Sequence, residues 1–208
     1  GLCGAFNNNV IKLATKAAAD CNAAGHAFDV LPLGKKALDA ANRLEWNVAD
    51  GYGDAPTSLF DNLNFEHATD VANKVMDQFA NGTYDKVILA YNQFKNAAVQ
   101  LPTNESFLPM LPSNDGGVDA SSVDYIFEPN KEEIVERMLP NALRVQLYKA
   151  LLDSHAAEHG ARMTAMHQAT DNGGELLRDL RITYNKARQA AITTEILEIV
   201  AGSEALDG

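Results

Sequence analysis

The sequence predicts an α/β fold in which a parallel sheet is covered by helices and is followed by a long helical arm. Within the first 128 residues, segments with helical spacing of apolar residues alternate with short apolar runs. This alternation is typical of a parallel sheet whose strands are connected by helices. From residue 129 onward the composition is almost entirely that of helix formers. We therefore expect two domains, 1–128 and 129–208.

The start of the first domain contains three helical segments and one candidate strand. Apolar residues recur at helical spacing over 5–24 and 66–79, and a shorter helix is expected over 35–44. Gly25 follows the first helix as a stop signal. The apolar run at 27–33 indicates a strand.

The clearest strand of the chain is expected over 85–94. A continuous run of Val, Ile and Leu bounded by turn residues is what a strand buried on both faces requires. Further edge strands are expected at 97–101 and 106–110. The segment 112–124, which contains Asn-Asp-Gly-Gly, predicts a mobile loop.

Two positions in the helical arm leave its continuity open. Pro140 either kinks the helix that begins near 131 or occupies the first turn of the next helix. At 171–174 the sequence reads Asp-Asn-Gly-Gly. Each glycine in a helix interior costs about 1 kcal/mol relative to Ala, and Asn-Gly is a turn signal. Local propensity therefore predicts a hairpin between two helices at this point.

The last part of the arm has the rhythm of a coiled-coil seam. Steps of 3, 4, 3, 4 and 3 residues connect six positions, which are Leu177, Leu180, Tyr184, Ala187, Ala191 and Thr194. The rhythm fails at Glu198. Towards its C-terminal end the arm is apolar on more than one face, through Ile192, Ile196, Leu197, Ile199 and Val200. We expect this end to be enclosed by something on several sides.

The charge distribution combines an acidic protein with a local excess of positive charge. The formal net charge is -11, which argues against nucleic acid as a partner, because phosphate binding is driven by Lys and Arg. Between 176 and 190, however, a single acidic residue accompanies four basic ones, Arg178, Arg181, Lys186 and Arg188. This run is either a solvated helix face or a contact with an acidic partner.

No catalytic, cofactor or metal site is expected. The chain has no G-x-G-x-x-G, no G-x-S-x-G and no cysteine pair with metal-ligand spacing. The pattern H-x-x-E-H is formed by His155, Glu158 and His159, and such histidines can hold a zinc ion, as in inverted zinc metalloproteases. No downstream acidic ligand in a recognisable setting completes that site. A zinc metalloprotease is kept as an alternative to a polar cluster.

Four segments together resemble the gamma subunit of the rotary F-type ATP synthase. They are Gly-Leu-Cys-Gly-Ala-Phe-Asn at 1–7, Glu-His-Gly-Ala-Arg-Met at 158–163, Ala-Thr-Asp-Asn at 169–172, and Tyr-Asn-Lys-Ala-Arg-Gln-Ala-Ala-Ile-Thr-Thr-Glu-Ile at 184–196. The resemblance implies a Rossmann-like parallel-sheet domain and the long C-terminal α-helices of a coiled-coil shaft. Contrary to local propensity, it implies that the helix continues through 171–174.

The resemblance also implies a role and partners. The subunit would be the non-catalytic central stalk, standing on the proton-driven membrane ring with the epsilon subunit and entering the alpha-beta hexamer. The four basic residues would contact acidic loops of the catalytic subunits, and 192–200 would form an apolar bearing. The seam would pair with an N-terminal helix of the same chain, which this sequence does not contain.

Location and an alternative function follow from the same reasoning. The resemblance implies a peripheral, membrane-associated complex at the cytoplasmic face of a bacterial inner membrane, or at the matrix side if the source is mitochondrial. A free-standing helical adaptor that dimerises through the seam at Leu177, Leu180 and Tyr184 remains the alternative.

Overall fold

A computed structural model describes residues 3–110, 128 and 130–207. Contacts divide the chain into two compact units, Gly1–Arg162 and Met163–Gly208. The loop expected at 112–124 lies outside the described residues. The domain boundary expected at 128–129 also adjoins residues that are not described, and it stays a prediction.

The described residues of the first unit form four helices, a strand pair and the beginning of a fifth helix. The elements are α1 Gly4–Ala23, α2 Lys35–Arg43, α3 Ala55–Ser58, α4 Phe65–Ala80, β1 Val87–Phe94, β2 Gln100–Leu108 and α5 Lys131–Asp207. The three helices expected in the first domain are therefore confirmed to within about one residue at each end. Apolar residues at helical spacing locate these helices because only one face of each packs on the core.

The predicted Rossmann-like parallel sheet is wrong for the described residues. β1 and β2 form a two-stranded antiparallel sheet, with Tyr91 opposite Thr103 and Phe94 opposite Gln100. The connection between the strands is too short for a parallel crossover, which needs a dozen or more residues. The two edge strands predicted at 97–101 and 106–110 are replaced by the single strand β2, which contains only 100–101 of the first and 106–108 of the second.

The strand predicted over 27–33 is reduced to one bridge. Val30 forms an isolated parallel bridge with Val48, and its backbone exchanges hydrogen bonds with Asn47 and Ala49 at 2.8 and 3.0 Å. An apolar run of this length is compatible with a strand, but pairing needs a partner of matching length. The described part of the chain offers this run a single pairing position.

The core of the first unit lies between α4, β2 and the beginning of α5. Its buried members are Tyr52, Leu59, Ala68, Val71, Ala72, Val75, Phe107, Leu108, Leu143, Leu147 and Leu151. The α5 members follow steps of four residues, so they form one stripe along the helix. This stripe is the reason why the start of α5 belongs to the first unit.

Helix α5 passes through Pro140 and through residues 171–174 without a break. Pro140 lies inside it, so a new helix does not begin there. Residues 171–174 are also helical, so the hairpin predicted from glycine propensity is wrong and the continuity implied by the resemblance is right. Helix formation is cooperative, so a helix that extends on both sides of Gly173 and Gly174 can include these two unfavourable residues without a new nucleation step.

Candidate functional site

The exposed part of α5, residues 166–203, is the most unusual surface of the second unit. Every one of these residues is solvent-exposed, including large apolar side chains. The exposed fraction reaches 71% for Ile199 and 68% for Tyr184. The other large apolar members are Met166, Leu176, Leu177, Leu180, Ile182, Ile192, Ile196, Leu197 and Val200. Contiguous apolar surface of this kind marks an interaction site. We call this segment the distal helix.

The six predicted seam residues share one face of the distal helix. At about 100° per residue, the positions from Leu177 to Thr194 fall within an arc of about 100°. The same steps continue backwards through Gly173, Thr170 and Met166, which the sequence reasoning missed. The signal was present in the spacing, because these three residues extend the steps of 3 and 4. What covers this face is not shown, and the seam stays a prediction.

The basic and apolar contact residues, which were predicted as two sets, share most of a second face. Arg178, Arg181 and Arg188 fall within an arc of about 80°, and Ile192, Ile196 and Ile199 continue it towards the C-terminus. We call these six residues the basic–apolar stripe. Lys186 lies about 160° from Arg188 around the axis, and Val200 also lies off the stripe. These two residues therefore face other directions.

None of the four basic residues is neutralised within the described part of the chain. Arg178, Arg181, Lys186 and Arg188 are all exposed, and the ion pairs of the described residues, Lys36–Asp39 and Glu158–Arg162, do not include them. Exposed cations without a fixed counter-charge can recognise an acidic surface.

The start of α5 is fixed to the strand pair by a polar network. Gln146 donates from Nε2 to Oε1 of Glu105 at 2.7 Å, and Tyr91 donates its hydroxyl to Oε2 of the same carboxylate at 2.8 Å. Burial, together with this hydrogen bond, raises the pKa of Tyr91 above its ordinary value. One carboxylate thereby joins β1, β2 and α5.

Gly160 permits a close approach between α5 and the β1–β2 turn. A Cβ atom at this position would lie 3.1 Å from Cα of Ala97 and 3.4 Å from the ring of Phe94. This contact explains the glycine in the Glu-His-Gly-Ala-Arg-Met segment, because a larger residue would move the helix away from the β1–β2 turn.

The H-x-x-E-H pattern brings its two histidines together, but the described residues place no third protein ligand beside them. The Nε2 atoms of His155 and His159 are 3.3 Å apart. Glu158 is engaged in the ion pair with Arg162. A group of three or more His, Cys, Asp or Glu side chains able to hold a metal is not found among the described residues. The metalloprotease alternative thus has neither a free carboxylate base nor a complete ligand set there.

No helix in the described ranges has the length and apolarity needed to cross a membrane. The exposed apolar seam and the adjacent basic–apolar stripe are the surface features of a helical assembly subunit. Comparison with known proteins identifies which assembly this is.

The family model described as ATP synthase matches residues 1–206. The ATP synthase gamma chain of Flavobacterium johnsoniae is 53% identical over 208 residues, covering 100% of this chain and 70% of that one. The gamma chain of Flavobacterium psychrophilum is 52% identical with the same coverage. The chain therefore belongs to the family of ATP synthase gamma chains.

Solved structures agree with this assignment. The central stalk and c-ring structure of the Tetrahymena thermophila mitochondrial ATP synthase matches with a TM-score of 0.57 and 26% identity, covering 82% of this chain and 71% of that one. The rotor of the Euglena gracilis mitochondrial enzyme matches with a TM-score of 0.56 over 92% of this chain and 71% of that one; at 19% identity, it shows the fold alone.

The resemblance read from the four sequence segments is thereby confirmed. The chain is a central-stalk subunit of the rotary enzyme and is not itself catalytic. It is a peripheral part of the membrane-bound complex. The fold is confirmed in its coarse form, a mixed helical unit with a small sheet and a long C-terminal helix.

Proposed function

We propose that this chain is the rotor that couples proton flow through the membrane ring to ATP synthesis or hydrolysis in the alpha-beta hexamer. The observation that carries the proposal is the distal helix, on which every residue from 166 to 203 is exposed although many are large and apolar. A helix with apolar residues on several faces is typically covered by other polypeptide.

The two faces of the distal helix fit two kinds of partner. The seam from Leu177 to Thr194 has the spacing for a second helix. The proposed occupant is the long N-terminal helix of the gamma-subunit family, which is not α1. The three arginines of the basic–apolar stripe and Lys186 are proposed to contact acidic loops of the catalytic subunits. The end formed by Ile192, Ile196, Ile199 and Val200 is proposed to turn within the apolar bearing of the hexamer.

Differential contact is the physical basis of the coupling. The distal helix is asymmetric, with an apolar seam on one face and a basic–apolar stripe on the next. Three chemically identical catalytic subunits around such a rod would each meet a different face. Each orientation would therefore favour a different conformation and nucleotide affinity, and rotation would cycle the subunits through them.

The remaining partners and the location belong to the same proposal. The domain at 1–128 would stand on the membrane c-ring with the epsilon subunit, and the helical arm at 129–208 would enter the hexamer of alpha and beta subunits. Relatives that are 53% and 52% identical come from bacteria of the genus Flavobacterium, which supports the cytoplasmic face of the bacterial inner membrane.

Charge reversal on the stripe tests the catalytic-subunit contact. We expect Arg188→Glu in the assembled enzyme to lower the protons pumped per ATP hydrolysed, because a repulsive charge replaces an attractive one against an acidic surface. Arg43→Glu is the matched control, since Arg43 is exposed in α2 of the first unit. Intact coupling in the Arg188 variant would refute this contact.

A second pair of variants tests the seam. Leu180 is 61% exposed and lies on the seam, whereas Ile182 is 45% exposed and lies off both the seam and the stripe. Leu180→Asp should reduce the recovery of alpha, beta and epsilon subunits with the tagged full-length chain, and Ile182→Asp should reduce it less. Equal recovery for both variants would remove the seam from the proposal.

The proteins that the chain binds in its native membranes distinguish the rotor function from the dimeric adaptor. Affinity capture of the full-length chain should recover alpha, beta and epsilon subunits in a stoichiometric complex. Recovery of none of them, with a dimer found by light scattering, would favour the adaptor. A dimer of the isolated chain alone would not, because an uncovered seam can pair with itself.

A further inference from the structure

The two histidines of the H-x-x-E-H pattern have a geometry that the rotor function does not use. His155 and His159 lie one helical turn apart on α5, within the first unit, and their Nε2 atoms are separated by 3.3 Å. Two nitrogen ligands at about 2.0–2.1 Å from a tetrahedral zinc ion are themselves about 3.3 Å apart. The two nitrogens are within hydrogen-bonding distance of each other, and their separation also matches that of two ligands of one metal ion.

The surroundings position one ring and leave the other accessible. His155 is half-buried and stacks on Phe60, with ring centroids 5.9 Å apart and an angle of 28° between the planes. His159 is exposed and meets His155 edge to face, with centroids 4.6 Å apart. Because the terminal torsion of histidine is broad, a rotation of the exposed ring can direct both nitrogen lone pairs to one point.

We propose that His155 and His159 form a surface site for a divalent transition metal ion, with Zn²⁺ as the probe that represents the class. Neutral imidazole nitrogen suits zinc, copper and nickel, whereas Mg²⁺ and Ca²⁺ prefer oxygen ligands. Glu158 is held in the ion pair with Arg162, so water completes the coordination. The site is independent of the seam and of the stripe.

Isothermal titration of the full-length chain with Zn²⁺, after removal of any affinity tag, tests the site. We expect one binding event that is weakened at least tenfold in His155→Asn and in His159→Asn. His26→Asn, which removes a single exposed histidine after α1, should bind like the parent chain. A hundredfold excess of Mg²⁺ should not displace the zinc.

The two variants protect the test against a folding artefact. His155→Asn also removes the ring that stacks on Phe60, whereas His159 is exposed and its replacement leaves that stack in place. Far-UV circular dichroism should show the same helix content for both. Zinc binding that is unchanged in His159→Asn, or no zinc binding by the parent chain, would overturn the proposal.

Discussion

Replacing Gly160 by alanine tests the packing of α5 on the β1–β2 turn. The added Cβ would lie 3.1 Å from Cα and 3.2 Å from the carbonyl oxygen of Ala97, and 3.4 Å from the ring of Phe94. Two of these three atoms belong to the backbone, so the contact is not relieved by a side-chain rotation. The outcome depends on whether the turn can move.

The turn is held by its own hydrogen bonds. The side-chain oxygen of Asn96 accepts from the backbone N–H groups of Ala98 and Val99 at 3.0 and 2.7 Å. Gln100 donates from Nε2 to the carbonyl oxygen of Ala97 at 2.9 Å. Displacement of Ala97 would therefore strain several contacts at once, and we expect the turn to resist.

The expected magnitude follows from two opposing terms. Overpacking of a closely packed site costs about 1–3 kcal/mol. Replacing a helical glycine by alanine returns about 1 kcal/mol through backbone propensity. Gly160→Ala should therefore lower the free energy of unfolding by about 1 kcal/mol, which is a decrease of about 0.5 M in the urea midpoint for a slope of about 2 kcal/mol/M.

The chain contains one tryptophan, Trp46, which packs edge to face on Phe28 in the first unit. Its fluorescence during urea unfolding reports on the unit that contains the contact. Gly4→Ala is the control, since no atom lies within 4 Å of a Cβ at that position. In an Asn96→Ala background the turn loosens, so the loss from Gly160→Ala should shrink. A higher midpoint for Gly160→Ala than for the parent chain would refute the reasoning.

Two further predictions concern local contacts of the first unit. Asn64→Ala removes the oxygen that accepts the His67 backbone N–H at 2.8 Å and caps α4. The free energy of unfolding should fall by about 1 kcal/mol in urea titration, and an unchanged midpoint would contradict the cap. Burial, then the hydrogen bond to Asp29, raises the pKa of Tyr84 from 10.0 to about 12. The unfolded chain therefore releases this proton first, so stability falls from pH 10 to 12. Tyr84→Phe should flatten that fall, and a parallel pH profile would exclude the contribution.

The helices could be predicted from the sequence because their signal is local. The stripe formed by Ala68, Val71, Ala72 and Val75 reflects a period of 3.6 residues that any buried helix face must have. The prediction of a parallel sheet was wrong because the relative direction of two strands depends on which strands pair with each other. The run at 85–94 pairs with a neighbour across a short turn, and the length of that connection indicates an antiparallel pair.

The candidate site divides in the same way. The spacing from Leu177 to Thr194 was readable from the chain, and the unbroken helix carries these residues on one face. The packing role of Gly160 could not be predicted from the sequence, because it depends on Ala97, which is distant in sequence and adjacent in space. The sequence spacing predicts that His155 and His159 lie one helical turn apart. Their Nε2–Nε2 separation of 3.3 Å can be obtained only from the structure.

Three of the four glycines in α5, at 160, 173 and 174, show why the rule that glycine disfavours helix wrongly predicted a hairpin. Gly160 lies where backbone approaches backbone, so its missing side chain is required by a contact within the chain. Gly173 and Gly174 have no atom within 4 Å of a Cβ position, so the described chain gives no packing reason for them. Gly173 nevertheless lies four residues before Leu177 on the seam face, where a missing side chain would let a second helix approach closely. On this reasoning, Gly173 weakens the helix in the isolated chain because the seam face is shaped for a second helix. The exposed apolar residues of the same face have the same explanation.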